Sequence, residues 1–300
     1  MISLPVFLFH YGPFEPLWQQ DGLIQCGPRI PIGTPGINVK VLNIAHLKNA
    51  LNRQGIPSNG VLVHYLDPFI IRTNILEGLK YWYGPKLLVC GDLHHGESPI
   101  TTLADYQSRE FHDSVLLAFN PMLYQEVRRA LSVPVHCCPP GFFRYPKRYP
   151  NPNVKNCLLH IGSIGPYHER RRSIVNSISS RNRIPFFHAI TKTSEEAADL
   201  YNQYSLALNI PLNNDLNHRF FEIISAGTSQ VVFGDKSLLG NLDSFSEIAN
   251  VYWVDSIDDL EDFVVEFFKS SHMINSHKGS IPYLPIKDLL LKCFSHQAYV

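Results

Sequence analysis

Arg219 and Glu222 stand three residues apart in the stretch Asn217-His218-Arg219-Phe220-Phe221-Glu222-Ile223-Ile224-Ser225-Ala226-Gly227. In a helix that spacing places a guanidinium and a carboxylate side by side, while Phe220, Ile223 and Ile224 share the apolar face. A carboxylate accepts two hydroxyl donors at once. A guanidinium one turn into a helix adds its charge to the dipole and free amides of the N-terminus, which suits a diphosphate. The chemistry on offer is the gripping of a phosphate chain and a pair of sugar hydroxyls. Asn217 and His218 open the same helix and could meet the sugar or the phosphate. The plainer alternative is a structural ion pair on a helix surface.

A second cluster is Cys90-Gly91-Asp92-Leu93-His94-His95-Gly96-Glu97, after a strand-like run. Asp92, His94 and His95 are residue types that exchange protons during group transfer. They also ligate metals, but adjacent histidines rarely point the same way and no second ligand cluster is evident. The expectation is therefore chemistry without a metal. Gly162-Ser163 follows another strand-like run, where glycine lets backbone approach a phosphate closely, as it also permits a plain tight turn. The helix behind it carries Arg170, Arg171 and Arg172, one of which could neutralise a diphosphate; a solvated basic face is the alternative. Lys192 follows the next strand and is a further phosphate candidate. His10-Tyr11-Gly12 follows the first strand in a loop that could touch a second substrate. His64 and His160 sit inside apolar strands and read as satisfied core residues.

These groups need a scaffold, and the pattern supplies one. Short apolar runs at residues 5–9, 39–44, 61–65, 86–91, 114–119 and 133–138 predict strands; segments 46–54, 74–83, 101–111 and 121–131 predict helices. Residues 11–37 hold many Pro and Gly without a period and read as a long loop, a feature usually tied to function. The alternation restarts with strands at 154–161, 184–190, 206–211, 228–233 and 251–254 and helices between them, including one capped by Thr193 with Glu196 three residues on. Near-continuously apolar strands alternating with helices argue for parallel sheets covered on both faces. The predicted class is α/β with two Rossmann-like domains: 1–141, a linker 142–153 rich in Pro, Tyr and basic residues, 154–282, and a last helix within 283–300. Ligands in such sheets bind beyond the carboxyl ends of the strands.

The bulk properties agree. The chain has 300 residues, 45% hydrophobic and 17% charged, with 26 basic against 26 acidic side chains. That is an ordinary globular composition with no broad electrostatic footprint for nucleic acid. No apolar run approaches the roughly 20 residues a membrane span needs. Pro5 interrupts the N-terminal apolar run, which reads as a strand and not a signal peptide. Six scattered cysteines without a Cys-x-x-Cys fit buried thiols in a reducing cytoplasm.

The segment LNHRFFEIISAGTSQVVFGD, residues 216–235, resembles the donor-binding segment of GT-B glycosyltransferases of the family 1-4-like kind, specifically the CgeB-like (spore-maturation type) group. Weaker agreement extends over most of the chain. The resemblance implies two Rossmann-like domains facing across a cleft, with a last helix returning to the first domain. It implies a nucleoside-diphosphate sugar as donor substrate, no cofactor, and a glycan, lipid-linked or protein acceptor. Glu222 would hold the ribose hydroxyls, and Arg171 best matches an arginine of the family. The Asp92-x-His94 pattern resembles its acceptor-side histidine. A second acidic residue that many retaining members carry eight positions before the glutamate is Asn214 here, which leaves the stereochemistry open. An inactive binding protein derived from the fold, or an epimerase of the same architecture, would share these features.

Overall fold

The computed structural model describes residues 4–66, 75–91, 93, 96–138, 140–149, 151–212, 215–240, 250–270 and 284–294. The chain divides into two compact units, Met1–Arg144 with Tyr283–Val300, and Tyr145–Pro282.

The first unit is built on seven strands: β1 (Val6–Phe9), β2 (Leu23–Gly27), β3 (Ile37–Asn38), β4 (Val61–Leu66), β5 (Lys86–Cys90), β6 (Ser114–Leu117) and β7 (Val135–Cys137). They form one parallel sheet in the order β3-β2-β1-β4-β5-β6-β7. Helices α1 (Ile44–Arg53), α2 (Pro99–Arg109) and α3 (Tyr124–Ala130) connect the strands. Because helices cover the sheet, β1 and β6 are buried along their whole length. Phe7, Phe9, Leu47, Leu51 and Trp82 close one cluster, and Leu88, Leu103, Tyr106 and Val127 belong to another. The strand order reverses between β1 and β4.

The second unit has five strands: β8 (Lys155–Ile161), β9 (Phe186–Ala189), β10 (Tyr204–Asn209), β11 (Ser229–Phe233) and β12 (Val251–Val254). The sheet is again parallel, in the order β12-β11-β10-β8-β9. Its helices are α4 (Glu169–Arg181), α5 (Ser194–Tyr201), α6 (His218–Ser225) and α7 (Ile257–Ser270). Here the reversal falls between β8 and β10. The local signals for the two short helices act as their sequences suggest. The Thr193 hydroxyl accepts from the Glu196 amide at 3.1 Å and Glu196 accepts from the Lys192 amide at 2.8 Å, fixing the start of α5. Asn217 caps α6 by accepting from the Phe220 amide at 3.2 Å, and Gly227 follows it with φ 76°. The last helix, α8 (Ile286–Phe294), packs in the first unit, where the Leu284 amide donates to the Gly141 carbonyl at 2.9 Å.

Several local expectations give way. Residues 11–37 are not one loop: they hold a 3-10 turn at Pro16–Trp18 and the strand β2. The strand hid because it carries Gln25, whose side chain is buried and takes both backbone groups of Glu15. The strand expected at 39–44 does not form: the two-residue β3 ends before it at Asn38, and Asn43 caps α1, which starts at Ile44. The helix expected at 74–83 is, over its described part, a β-bridge at Glu77 and a 3-10 turn at Leu79–Tyr81. Gly78 at φ 81° and the Glu110 carboxylate, which accepts the amides of Gly78 and Leu79, break the helical pattern. Of the linker composition, Phe142 and Phe143 are buried in the first unit against Trp18. Tyr145 is buried in the second, stacked on Phe221.

Candidate functional site

The reversal in the second unit gathers most of the phosphate candidates. Parallel strands β8 and β10 end side by side. The chain leaves β8 into Gly162 and Ser163, and leaves β10 toward the N-terminus of α6. Gly162 has φ 144°, and a β-carbon there would collide with the Arg219 guanidinium. The backbone angle calls for glycine, and any side chain there would also push the Arg219 guanidinium aside. Arg219 lies over the Gly162 backbone at the start of α6, where free amides and the dipole favour an anion.

Below it the site is held by buried polar groups. Arg171 is 5% exposed and donates to the Ser163 carbonyl at 3.2 Å and the Ile210 carbonyl at 3.3 Å, bracing the loops that leave both strands. Burial and the nearby Arg219 charge lower its pKa to about 10, with Asp215 opposing. His160 bonds His188 between Nδ1 atoms at 3.0 Å. Burial, then the charges of Arg219, His188 and Arg171, push His160 down to about 2, so it is neutral. His168 is also lowered, by burial and then by Arg171 and Arg219. The Tyr201 hydroxyl faces Arg219. The local field is therefore positive. Among the described residues, Nε of Arg171 and of Arg219, Nε2 of His160, both side-chain polar atoms of Asn209 and Nδ2 of Asn217 are buried without a hydrogen-bond partner.

The other expected residues are distributed as follows. Glu222 points to the start of α5, where the Ser194 hydroxyl donates to it at 3.5 Å. His218 is joined at Nδ1 to the Tyr145 hydroxyl at 2.8 Å, and burial lowers it to about 4. Lys192 is exposed just before α5. In the first unit His10 is buried and bonded through Nε2 to Gln25 at 3.0 Å. Tyr11 lies under the Arg29 guanidinium, 5.2 Å from its ring centre, and Gly12 is beside the His10 ring. Asp92, His94 and His95 lie outside the described residues, as does Asn214. Among the described residues no three His, Cys, Asp or Glu side chains gather as a metal-binding group, and no helix is long and apolar enough to cross a membrane.

Sequence reasoning missed His160, His168, Tyr201 and Asn209. His160 was assigned to the core because its neighbours in the strand are apolar. Its position two residues before Gly162, at the carboxyl end of a strand, was the available signal. Tyr201 ends a helix on the far side of the loop, and nothing in its local sequence marks it.

No protein-family model matches the chain and no curated protein matches its sequence. Solved structures match in fold. Sucrose-phosphate synthase from Thermosynechococcus elongatus superposes with a TM-score of 0.60 at 11% identity, covering 99% of this chain and 99% of that one. The chain has the GT-B glycosyltransferase fold. TarM superposes on this GT-B chain with a TM-score of 0.55 at 11% identity, covering 84% of this chain and 58% of TarM. An S. aureus TarM mutant in complex with Fondaparinux, alpha-GlcNAc-glycerol and UDP gives 0.51 at 10% identity, covering 85% and 56%. The chain thus spans less than two thirds of the length of the TarM structures.

Proposed function

We propose that this chain is a glycosyltransferase that moves a sugar from a nucleoside-diphosphate sugar to a glycan, lipid-linked or protein acceptor without a metal. The observation that carries the reading is Arg219 laid over Gly162 at the N-terminus of α6, with Arg171 and neutral His160 beneath it. Buried N–H groups without partners, in a positive field at a sheet's reversal point, ask for an anion with several oxygens. In the proposed pose the diphosphate lies on Arg219 and the Gly162–Ser163 backbone, and Glu222 takes the ribose hydroxyls. As the bond to the sugar breaks, negative charge grows on the leaving diphosphate. Arg219 and the α6 dipole are already oriented toward it, so stabilisation requires no reorganisation. Arg171 acts from behind, holding the loops after β8 and β10 in place.

The acceptor proton is assigned to Asp92, His94 or His95, and acceptor contact to His10, Tyr11 and Gly12. The TarM complex contains UDP, which makes a uridine donor the first to try. The segment 216–235 supports a place in the CgeB-like group. The six free cysteines support the expected cytoplasmic location. The test is nucleotide release from UDP-, GDP-, CMP- and dTDP-linked sugars, with and without simple glycan acceptors. Release from one donor class that rises with acceptor fits the proposal; no release from any of them would refute it.

A further inference from the structure

We infer that Tyr201 is a positioning residue of the diphosphate site. Its hydroxyl accepts a hydrogen bond from Arg219 Nε when the diphosphate binds, which aims the rest of the guanidinium at the phosphate oxygens. The inference rests on the donor-site reading and carries it to a residue that touches no substrate.

The position follows from two helices on one face of the second sheet. Tyr201 is the last residue of α5, and it belongs to the buried cluster that also holds Ala207, Ile223 and Ala226. Arg219 stands four residues before Ile223 on α6, so the two share a side of that helix. The side that carries Ile223 into the cluster therefore carries Arg219 over it, one turn nearer the start of α6. Burial raises the pKa of the Tyr201 hydroxyl, and the Arg219 charge opposes that rise. The hydroxyl is a neutral O–H beside a cation, able to accept as well as donate.

Both atoms of the inferred bond are unmet. Tyr201 is fully buried, and among the described residues neither its hydroxyl nor Arg219 Nε has a hydrogen-bond partner. Its backbone is anchored, since the Thr228 hydroxyl donates to the Tyr201 carbonyl at 2.9 Å. Packing alone would favour phenylalanine here, because a buried hydroxyl without a partner costs stability. Acceptors for the hydroxyl's own proton lie on the same face. Along β10, Leu206, Leu208 and Ile210 enter one cluster and Ala207 the other, so Asn209 faces α5 and α6 with Ala207. Gln230 pairs with Ala207 from β11. Asn209 Oδ1 and Gln230 Oε1 are buried and also unmet among the described residues.

A guanidinium presents five N–H donors in one rigid plane. A diphosphate held by the terminal nitrogens leaves Nε–H over, and the plane can still turn. A bond at Nε fixes the plane, so less of the binding energy goes into orienting it.

The test is calorimetry on the full chain with UDP, GDP and dTDP, comparing the wild type with Tyr201→Phe, Arg219→Ala and the double variant. It is joined to heteronuclear NMR of the Arg219 Nε–H, assigned by its loss in Arg219→Ala. We expect Tyr201→Phe to keep or raise the melting temperature yet bind the preferred nucleotide about tenfold more weakly, the scale of a hydrogen bond to a charged group. Adding Tyr201→Phe to Arg219→Ala should cost nothing further. The Nε–H signal should exchange more slowly with water once nucleotide is added to the wild type, and not in Tyr201→Phe. Wild-type affinity in Tyr201→Phe, with affinity lost in Arg219→Ala, overturns this inference and leaves the donor site standing. Full affinity in Arg219→Ala, or no binding of any of these nucleotides, overturns both. Should Tyr201→Phe fail to fold, the wild-type signal decides alone: Nε–H exchange unchanged by nucleotide overturns the inference.

Discussion

The two units share a parallel sheet with one reversal of strand order, yet their buried polar side chains differ: among the described residues Asn120 Nδ2 goes unmet in the first, while in the second such atoms gather where β8 and β10 end. In the first, the buried histidines end in closed pairings. His10 is joined to Gln25. His64 stacks on His112 with ring centres 5.4 Å apart, Tyr106 approaches the His64 ring, and Gln107 meets His112 Nδ1 at 3.0 Å and its carbonyl at 2.7 Å. In the second, His160 is stacked on His188 in the same manner, but its Nε2 and the Nε atoms of Arg171 and Arg219 have no partner among the described residues. Leaving a buried donor unmet costs about 1–3 kcal/mol. Several such atoms together at a strand-order reversal are the observation on which the proposed ligand site rests. Ionisable side chains alone would have marked both units equally; what separates them is the clustering of unmet polar atoms around Gly162, Arg171 and Arg219.

The largest effect that separates the units is expected from Arg219→Ala. A hydrogen bond to a charged group contributes roughly 1.5–3 kcal/mol, so nucleoside-diphosphate affinity measured by calorimetry should fall on the order of a hundredfold. His64→Gln in the first unit should leave it unchanged, and equal losses in the two variants would erase the distinction. Glu222→Ala comes next, with affinity for the diphosphate nucleoside lowered tenfold or more. A titration curve identical to wild type would remove that carboxylate from the ribose.

The smallest effect concerns acid. Burial lowers His64 to about 3 and holds His112 well below its usual value, with Lys86 nearby. Unfolded, both titrate near 6.5. Below that pH the unfolded chain binds more protons, so stability is complete above about 6.5 and declines as pH falls, by about 1 kcal/mol per pH unit for each histidine. Thermal unfolding of His112→Gln between pH 7 and 5 should show a shallower decline than wild type. Equal slopes would place the acid sensitivity elsewhere.

How much of this was legible in the sequence follows from the range of each signal. The strand-helix alternation and the cap at Thr193 are local, and they predicted two parallel sheets alternating with helices. β2 was lost because its buried Gln25 is satisfied by Glu15, ten residues away, which no periodicity shows. The helix expected near residue 79 failed for the same reason, since the Glu110 side chain that remakes that turn lies about thirty residues on. Arg219, Gly162 and Arg171 were singled out by residue type and position along strands and helices. The contact of Arg219 with Gly162, the bracing role of Arg171 and the membership of His160 and Tyr201 depend on two strands ending side by side. That adjacency is set by sheet order, which the sequence pattern does not encode.

Hydrogen exchange with and without a saturating nucleoside diphosphate tests the central claim most directly. If the reversal point of the second unit is the binding site, amides of residues 160–163 and 217–222 slow on addition of the ligand. Unchanged exchange across both segments, in a sample where binding is confirmed by calorimetry, would contradict it.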